Sequence, residues 1–507
     1  MLLKYFYDQS LAHASYMVGC QRAKVAVVVD PGRDVQQYLD MAVREGLKLV
    51  AVAETHIHAD YVSGARELAE RVGAKLYLSD EGPADWKYQF AADYDSQLVK
   101  HGDTFLIGKI RFEVMHTPGH TPESISFVLT DQGGGADKPM GIFTGDIVFV
   151  GSIGRPDLLE EAAGIQGSAE AGAHEMFHSA ERFKQLPDYL QVWPAHGAGS
   201  ACGKGLGAIP SSTVGYEKLF NPALQFTDED AFVRYILADQ LDAPKYFAVM
   251  KRVNKVGPGV LGKSELPERL NVNTLDSKIA EATVIDLSPS CQFSKGHVPG
   301  SINIPLSMLA GWAGWVVDYA KPVFLIAAKE QVAEAVRVLQ KIGLDNLPGV
   351  FDVAEAKAAG MDTQHYRTAS PKDVATRLES DEVAIIDVRS NAEWNAGHIA
   401  GARHLFLGRL PERLKECSVG QPVVTQCQAG AHSAIAASIL QAAGYNVIDL
   451  TGGIEAWISS GQPVDTSDST ASAACAPSVH QPSPGRATGS HVGGKSYSRQ
   501  HLKLTNV

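Results

Sequence analysis

The chain has 507 residues, 45% of them hydrophobic and 20% charged, the makeup of a soluble globular protein with room for roughly three domains. A formal net charge of −12 speaks against nucleic acid and anionic membrane surfaces as partners. Residues 1–8 interrupt their apolar run with Lys4 and Asp8, no stretch reaches membrane-spanning length, and the six cysteines (20, 202, 291, 417, 427, 475) follow no framework spacing. A cytoplasmic, reducing setting with free thiols is the expectation.

In chain order, Val25-Ala-Val-Val-Val-Asp30 reads as a buried strand stopped by Pro31-Gly32. A helix over about 35–45 follows. The apolar run 49–53 then leads straight into Thr55-His56-Ile57-His58-Ala59-Asp60-Tyr61. Likewise 110–115 leads into Thr117-Pro118-Gly119-His120-Thr121, and 141–144 into Gly145-Asp146. Each candidate ligand stands just past an apolar strand, where a scaffold can aim side chains into a cleft. Alternating strands and helices call for a layered α/β sandwich.

Two imidazoles and one carboxylate on one face, with other positions open, suit non-haem Fe(II) and oxygen. The matching residues are His56, His120 and Asp146. Burying so many imidazoles and carboxylates together without a cation would be costly.

These segments, with Gly154-Arg155-Pro156-Asp157 and Pro194-Ala195-His196-Gly197, make residues 1–255 resemble the metallo-β-lactamase fold, an αββα sandwich, and specifically its persulfide dioxygenase branch. The resemblance implies one Fe(II) per chain, held by His56, His120 and Asp146. Related glyoxalase II-like hydrolases use two metals, with further ligands at the positions of His58, Asp60, residue 61 and His196. Tyr61 removes one of those ligands, so His58, Asp60, Tyr61 and His196 are expected to orient the ligands around the iron. The survival of the other three keeps a second metal open. Arg155 resembles the family's substrate-side arginine, poised for a carboxylate or sulfur anion; a surface salt bridge is the alternative. Cys202 stands in a glycine-rich loop expected to leave its thiol accessible, with Lys204 favouring the thiolate, which makes it a candidate sulfur relay; an ordinary free cysteine is the alternative.

From about 265 the chain repeats itself. Val284-Ile285-Asp286 with Gly296-His297 recurs as Ile385-Ile386-Asp387 with Gly397-His398. The offset is roughly 100 residues, a tandem domain duplication. In the second copy Cys427-Gln428-Ala429-Gly430-Ala431-His432 lies between a strand (422–426) and a helix (about 433–442). Backbone N–H groups and a helix N-terminus there favour a thiolate or persulfide anion. The loop, with Asp387-Val388-Arg389, Glu393-Trp394 and Gly452-Gly453, resembles the rhodanese family over about 370–464. The resemblance makes Cys427 the persulfide-carrying nucleophile, with Gly430, His432 and Ser433 binding substrate. His432 stands where an arginine is common, which lowers the fixed positive charge. The first copy has Ala327 in place of the nucleophile and reads as a catalytically dead domain, a spacer or docking surface. His297, His398, Asp286 and Asp387 recur in both copies and are read as structural.

The expected domains are 1–255, 265–362 (dead rhodanese-like), 366–465 (active rhodanese) and a disordered tail, 466–507. As a whole the chain resembles fusions of a persulfide dioxygenase with rhodanese domains. Such fusions imply oxidation of a low-molecular-weight thiol persulfide by O2 to sulfite, transfer of sulfane sulfur to sulfite giving thiosulfate, and self-association into a homo-oligomer. Two alternatives stay open: a dinuclear thioester hydrolase with an appended sulfurtransferase, and a non-catalytic sulfur carrier or sensor.

Overall fold

The computed structural model describes residues 1–158, 160, 167–238, 240, 242–262, 265–417 and 420–466; the expected tail, with Cys475, lies outside them. Residues 1–466 form one compact unit.

Six strands build the first sheet: β1 (Leu2–Asp8), β2 (His13–Cys20), β3 (Val25–Val29), β4 (Lys48–Ala53), β5 (Lys75–Ser79) and β6 (Ser96–Val99), in that spatial order. β1, β2 and β3 are antiparallel, and β3 to β6 run parallel. The second sheet uses β7 (Thr104–Ile107), β8 (Ile110–His116), β9 (Ile125–Asp131) and β10 (Gly141–Gly145). After the short hairpin β11 (Val148–Phe149) and β12 (Ser152–Ile153), it is completed by β13 (Gln191–Pro194) and β14 (Ser212–Thr213). Its order is β14-β13-β10-β9-β8-β7.

Strand periodicity sorts the side chains into layers. Tyr16, Val18, Val27, Val29, Ala51 and Ala53 face Phe105, Phe112, Phe127, Phe143 and Trp193 between the sheets. The alternate residues Met17, Ala26, Val28 and Val52 face outward, against the helices Gln36–Arg44 and Ala65–Val72. Ile142 and Val192 turn the other way, onto the helices Ser168–Lys184 and Glu229–Leu237. The result is the expected αββα sandwich.

Two parallel five-stranded sheets follow. The first has β15 (Glu268–Arg269), β16 (Thr283–Asp286), β17 (Ile302–Asn303), β18 (Val323–Ala327) and β19 (Gly349–Asp352), in the order β15-β19-β18-β16-β17. The second has β20 (Arg367–Ala369), β21 (Ala384–Asp387), β22 (Arg403–His404), β23 (Val423–Gln426) and β24 (Val447–Leu450), in the order β20-β24-β23-β21-β22. The strand permutation is the same, so the duplication read from the sequence is one of topology too. Matching residues do matching work. The His297 ring stacks on Phe293 and that of His398 on Trp394, each at 3.7 Å between centroids. The Asp286 and Asp387 carboxylates each accept the backbone N–H two residues ahead.

The first repeat is packed into the metal-binding half. Tyr246, Phe247 and Met250, on the helix Tyr246–Val256, share one core with Ala59, Val62, Leu309, Leu339 and Ile342. The N–H of Val62 donates to the Lys341 carbonyl at 2.8 Å. No helix among the described residues is long and apolar enough to cross a membrane.

Candidate functional site

The ends of β4, β8 and β10, from two different sheets, deliver His56, His120 and Asp146 to one point. One donor atom from each lies within 4.8 Å of the others. Asp146 Oδ2 is 3.4 Å from His120 Nε2 and 3.9 Å from His56 Nε2.

The histidine tautomers follow from their second nitrogens. Thr55 Oγ1 gives its proton to Asp30 Oδ2 (2.9 Å), so it accepts from His56 Nδ1 (3.0 Å). His120 Nδ1 donates to the Arg155 carbonyl (2.9 Å), and His196 Nδ1 to that of Ala12 (3.1 Å). All three rings therefore turn an Nε2 lone pair toward Asp146. Burial and the neighbouring histidines His58 and His120 hold the pKa of His56 well below the usual value, keeping it in the neutral form a metal requires. Burial also lowers that of His120, against the pull of Asp146.

Both carboxylate oxygens of Asp146 are buried with no hydrogen-bond partner among the described residues. Two orphaned carboxylate oxygens facing imidazole lone pairs are costly without a cation. The donor set therefore fits a divalent metal with two nitrogen ligands and one carboxylate.

His58 is held from behind. Its Nε2 lies 3.2 Å from both Asp30 Oδ1 and Glu54 Oε2. Burial alone would lower its pKa, but these two carboxylates carry it well above the usual value. Asp30 also accepts from the Thr55 N–H at 2.7 Å, and Glu123 from the Ile57 N–H at 2.8 Å. Asn254 donates to the carbonyls of His58 and Tyr61 at 2.8 and 2.7 Å. Asp30, Glu54, Glu123 and Asn254 thus shape the motif, and sequence reading singled out none of them. Asp30 alone carried a signal, as the charged residue closing a buried strand. Tyr61 packs its ring against His58 (4.6 Å) and His13 (3.8 Å), filling the place expected of a second-metal histidine.

A second cluster adjoins the first. Donor atoms of Asp60, His196 and Cys202 lie within 4.8 Å of one another. His196 Nε2 is 3.3 Å from Asp60 Oδ2 and 3.5 Å from Asp146 Oδ1.

Three residues depart from expectation. Cys202 is 2% exposed, as buried as Cys427 at 1%. Burial, then Asp60 and Asp146, push its thiol well above the ordinary range, while Lys204 turns to the Tyr235 carbonyl at 2.9 Å. Burial and these carboxylates disfavour the thiolate, which leaves the ordinary free cysteine. Arg155 is 1% exposed and paired with Asp157 at 2.8 Å, with a further bond to the Ala201 carbonyl. It braces the loop behind His120. Ser433 is buried, its hydroxyl donating to Asp449 at 2.6 Å, so it anchors the helix after the Cys427 loop.

In that loop the Gly430 N–H donates to Cys427 Sγ at 3.1 Å. The Cys427 and Gln428 carbonyls accept from the Ile454 and Glu455 N–H groups (2.8 and 3.1 Å). At Gly453, with φ +60°, a Cβ would stand 2.2 Å from the Cys427 carbonyl oxygen, so only glycine permits this approach. Burial lowers the pKa of His432, with Glu393 pulling the other way. Its ring meets Trp312 of the first repeat at 4.6 Å. Trp312 was absent from the sequence reading, because nothing local marks a residue that reaches a site 115 positions away.

Residues 10–196 match the metallo-beta-lactamase superfamily model and residues 370–460 the rhodanese-like domain model. Persulfide dioxygenase ETHE1 of Bos taurus is 28% identical over 250 residues, covering 48% of this chain and 83% of that protein. Hydroxyacylglutathione hydrolase of Gloeobacter violaceus is 35% identical over 179 residues, 35% of this chain and 60% of that one. A crystal structure of a metallo-beta-lactamase from Staphylococcus aureus superposes with a TM-score of 0.63 at 42% identity, covering 69% of this chain and 98% of its own.

Proposed function

The chain belongs to the metallo-beta-lactamase superfamily and carries a C-terminal rhodanese-like domain, and from that premise we propose a bifunctional enzyme of sulfur metabolism, a persulfide dioxygenase feeding a sulfurtransferase. The observation that carries this reading is the set of three inward donors, His56, His120 and Asp146, with both Asp146 oxygens orphaned. A ferrous ion held by them would supply open positions at which O2 and a persulfide sulfur can meet. The overall reaction is R–S–SH + O2 + H2O → R–SH + SO3²⁻ + 2 H⁺: the S–S bond breaks, and the outer sulfur gives up the electrons that O2 accepts.

The protein's part is to orient and to keep dry. Thr55, Arg155 and Ala12 fix the three imidazoles, and the burial of Tyr61 and Cys202 keeps bulk water from the far side. In the second step Cys427 takes the outer sulfur of a persulfide, releasing R–S⁻. It then passes that sulfur to sulfite: Cys427–S–S⁻ + SO3²⁻ → Cys427–S⁻ + S2O3²⁻. The Gly430 N–H on Cys427 Sγ supports the anion at each stage.

Oxygen uptake by iron-loaded protein given a thiol persulfide tests the reading, with sulfite and thiosulfate assayed. His120→Ala is expected to abolish uptake. Cys427→Ser is expected to keep uptake and turn the product from thiosulfate to sulfite. Loss of uptake in Cys427→Ser would overturn the division of labour.

One observation favours a second reading, a dinuclear thioester hydrolase. Asp60 Oδ2 and His196 Nε2 are also buried without partners among the described residues, beside Asp146 Oδ1. It requires two metal ions per chain and undiminished turnover without oxygen.

A further inference from the structure

The first repeat touches the second around the Cys427 loop at three points. Its edge strand β17 gives the Asn303 N–H to Ser438 Oγ at 2.9 Å, on the helix Ala431–Ala442 that follows the loop. Its helix Leu309–Val316 packs so closely that a Cβ on Gly408 would stand 2.3 Å from the Trp315 ring. From the same helix Trp312 meets the half-buried His432 ring edge to face at 4.6 Å, and the Phe406 ring lies 6.2 Å from Trp312.

What Trp312 covers is the one residue of the loop able to carry positive charge. Residues 427–433 read Cys-Gln-Ala-Gly-Ala-His-Ser. Arg389 also reaches the loop, with Nη1 3.5 Å from Gln428 Oε1, but its Nε and Nη2 are bound to the Asp387 carboxylate at 3.0 and 2.7 Å. Glu393, on the helix Asn391–Ala396, accepts from the Ser390 N–H and hydroxyl, and Glu455 accepts from Gln428. Arg409, on the turn after Phe406, is engaged as well. The helix Leu309–Val316 has no charged residue, so its cover over His432 is apolar. Sulfur transfer as proposed above brings two anions together, the Cys427 persulfide and sulfite. A proton on His432 offsets their repulsion, and an apolar cover opposes that proton.

We propose that Trp312 is a positioning residue of the sulfurtransferase, supplied by the repeat that lacks a nucleophile: it seats the His432 ring beside the Cys427 loop and shields it from water. The inference rests on the sulfurtransferase half of the reading above. Uncovering His432 lets water solvate the charged ring, so the ring then keeps its proton to higher pH.

The test is thiosulfate formation by iron-loaded, full-length protein from glutathione persulfide and added sulfite. It is run under argon, so that the oxygen-dependent reaction is silent, from about pH 5 to about pH 9, with Cys427→Ser as the blank. Dividing kcat/KM for sulfite by that of His432→Ala removes the titrations of sulfite and donor. The quotient is expected to fall as pH rises through the titration of His432. Trp312→Ala is expected to move its midpoint up by about half a pH unit or more, and Trp312→Phe, which keeps an aromatic cover, to restore the parent's midpoint. The pH dependence of Cys427 alkylation by iodoacetamide, followed on its peptide by mass spectrometry, is expected to show the same shift; it needs no turnover, so it reports even where Trp312→Ala is inactive. A midpoint unmoved in Trp312→Ala, an equal shift in Trp312→Phe, or a flat quotient in the parent would overturn the positioning role. Parent protein that makes no thiosulfate above the blank would sink the sulfurtransferase reading, while a shift in alkylation would leave the contact between Trp312 and His432 standing.

Discussion

Asp30 shows how much of the metal centre depends on a residue that touches no metal. Its backbone is left-handed, φ +50°, a conformation that costs a non-glycine residue of order 1 kcal/mol and recurs at functional sites. The carboxylate serves the Thr55 N–H, the Thr55 hydroxyl and His58. Because the Thr55 proton is committed to Asp30, His56 must keep its own on Nδ1 and present Nε2 inward. Thr55→Val removes that acceptor at nearly constant volume. It is expected to weaken metal binding roughly 10- to 100-fold, read as metal content after dialysis against a graded chelator series; metal retained as in the parent would rule out the orienting role. The convergence of His56, His120 and Asp146 was legible in the sequence, because each follows an apolar strand and the three motifs come in order. The groups that set their tautomers were not. His196 is fixed by the carbonyl of Ala12 and His120 by that of Arg155, and backbone carbonyls carry no residue signature. Cys202 and Arg155 were each left with two readings, because neither a glycine-rich loop nor a charged side chain tells that the fold turns them inward, to 2% and 1% exposed.

At the scale of single elements, two close approaches hold the sites in shape. β12 passes so near the end of β10 that a Cβ on Gly154 would lie 1.9 Å from the Asp146 carbonyl oxygen. Gly154→Ala must push one of them aside. A loss of roughly 1–3 kcal/mol of stability is expected, together with loss of metal, since Asp146 moves with its backbone; unchanged metal content would show that the approach is not what seats Asp146. In the sulfurtransferase half, the helix Ala431–Ala442 is tied to β24 through Ser433 and Asp449. Burial pushes the Asp449 carboxyl up to about 7, only partly offset by the Ser433 and Thr425 hydroxyls. An unfolded aspartate titrates near 4, so between about 4 and 7 the folded chain keeps a proton that the unfolded chain has lost. Stability from this group therefore falls as pH rises through that window and is level above it. Asp449→Asn keeps an acceptor for Ser433 without the charge. It is expected to match the parent near pH 4 and exceed it by up to about 4 kcal/mol at pH 8. Urea midpoints at the two pH values decide it, and an advantage that does not grow with pH would mean the carboxyl is not buried as described. The duplication was readable from spacing alone, because two copies of one strand permutation repeat the same Asp and His at the same turns. Trp312 against His432 was not, since it depends on how one copy faces the other.

Across the whole molecule, the first repeat has lost its nucleophile yet shares a core with the metal-binding half and lends Trp312 to the Cys427 loop. A mere tether would need neither. Both sites belong to one compact unit; on the proposed function, sulfite made at one would reach the other at an effective concentration that linkage sets, of order millimolar for short connections. That concentration does not change when the protein is diluted. The parent enzyme is therefore expected to keep a constant ratio of thiosulfate to sulfite from micromolar to nanomolar protein. An equimolar mixture of His120→Ala and Cys427→Ser chains splits the two activities between molecules. There sulfite must diffuse through solvent, and the ratio should fall steeply on dilution. If the parent's ratio fell just as steeply, the two active domains would be working as independent enzymes, and the shared core would be a matter of stability with no bearing on transfer.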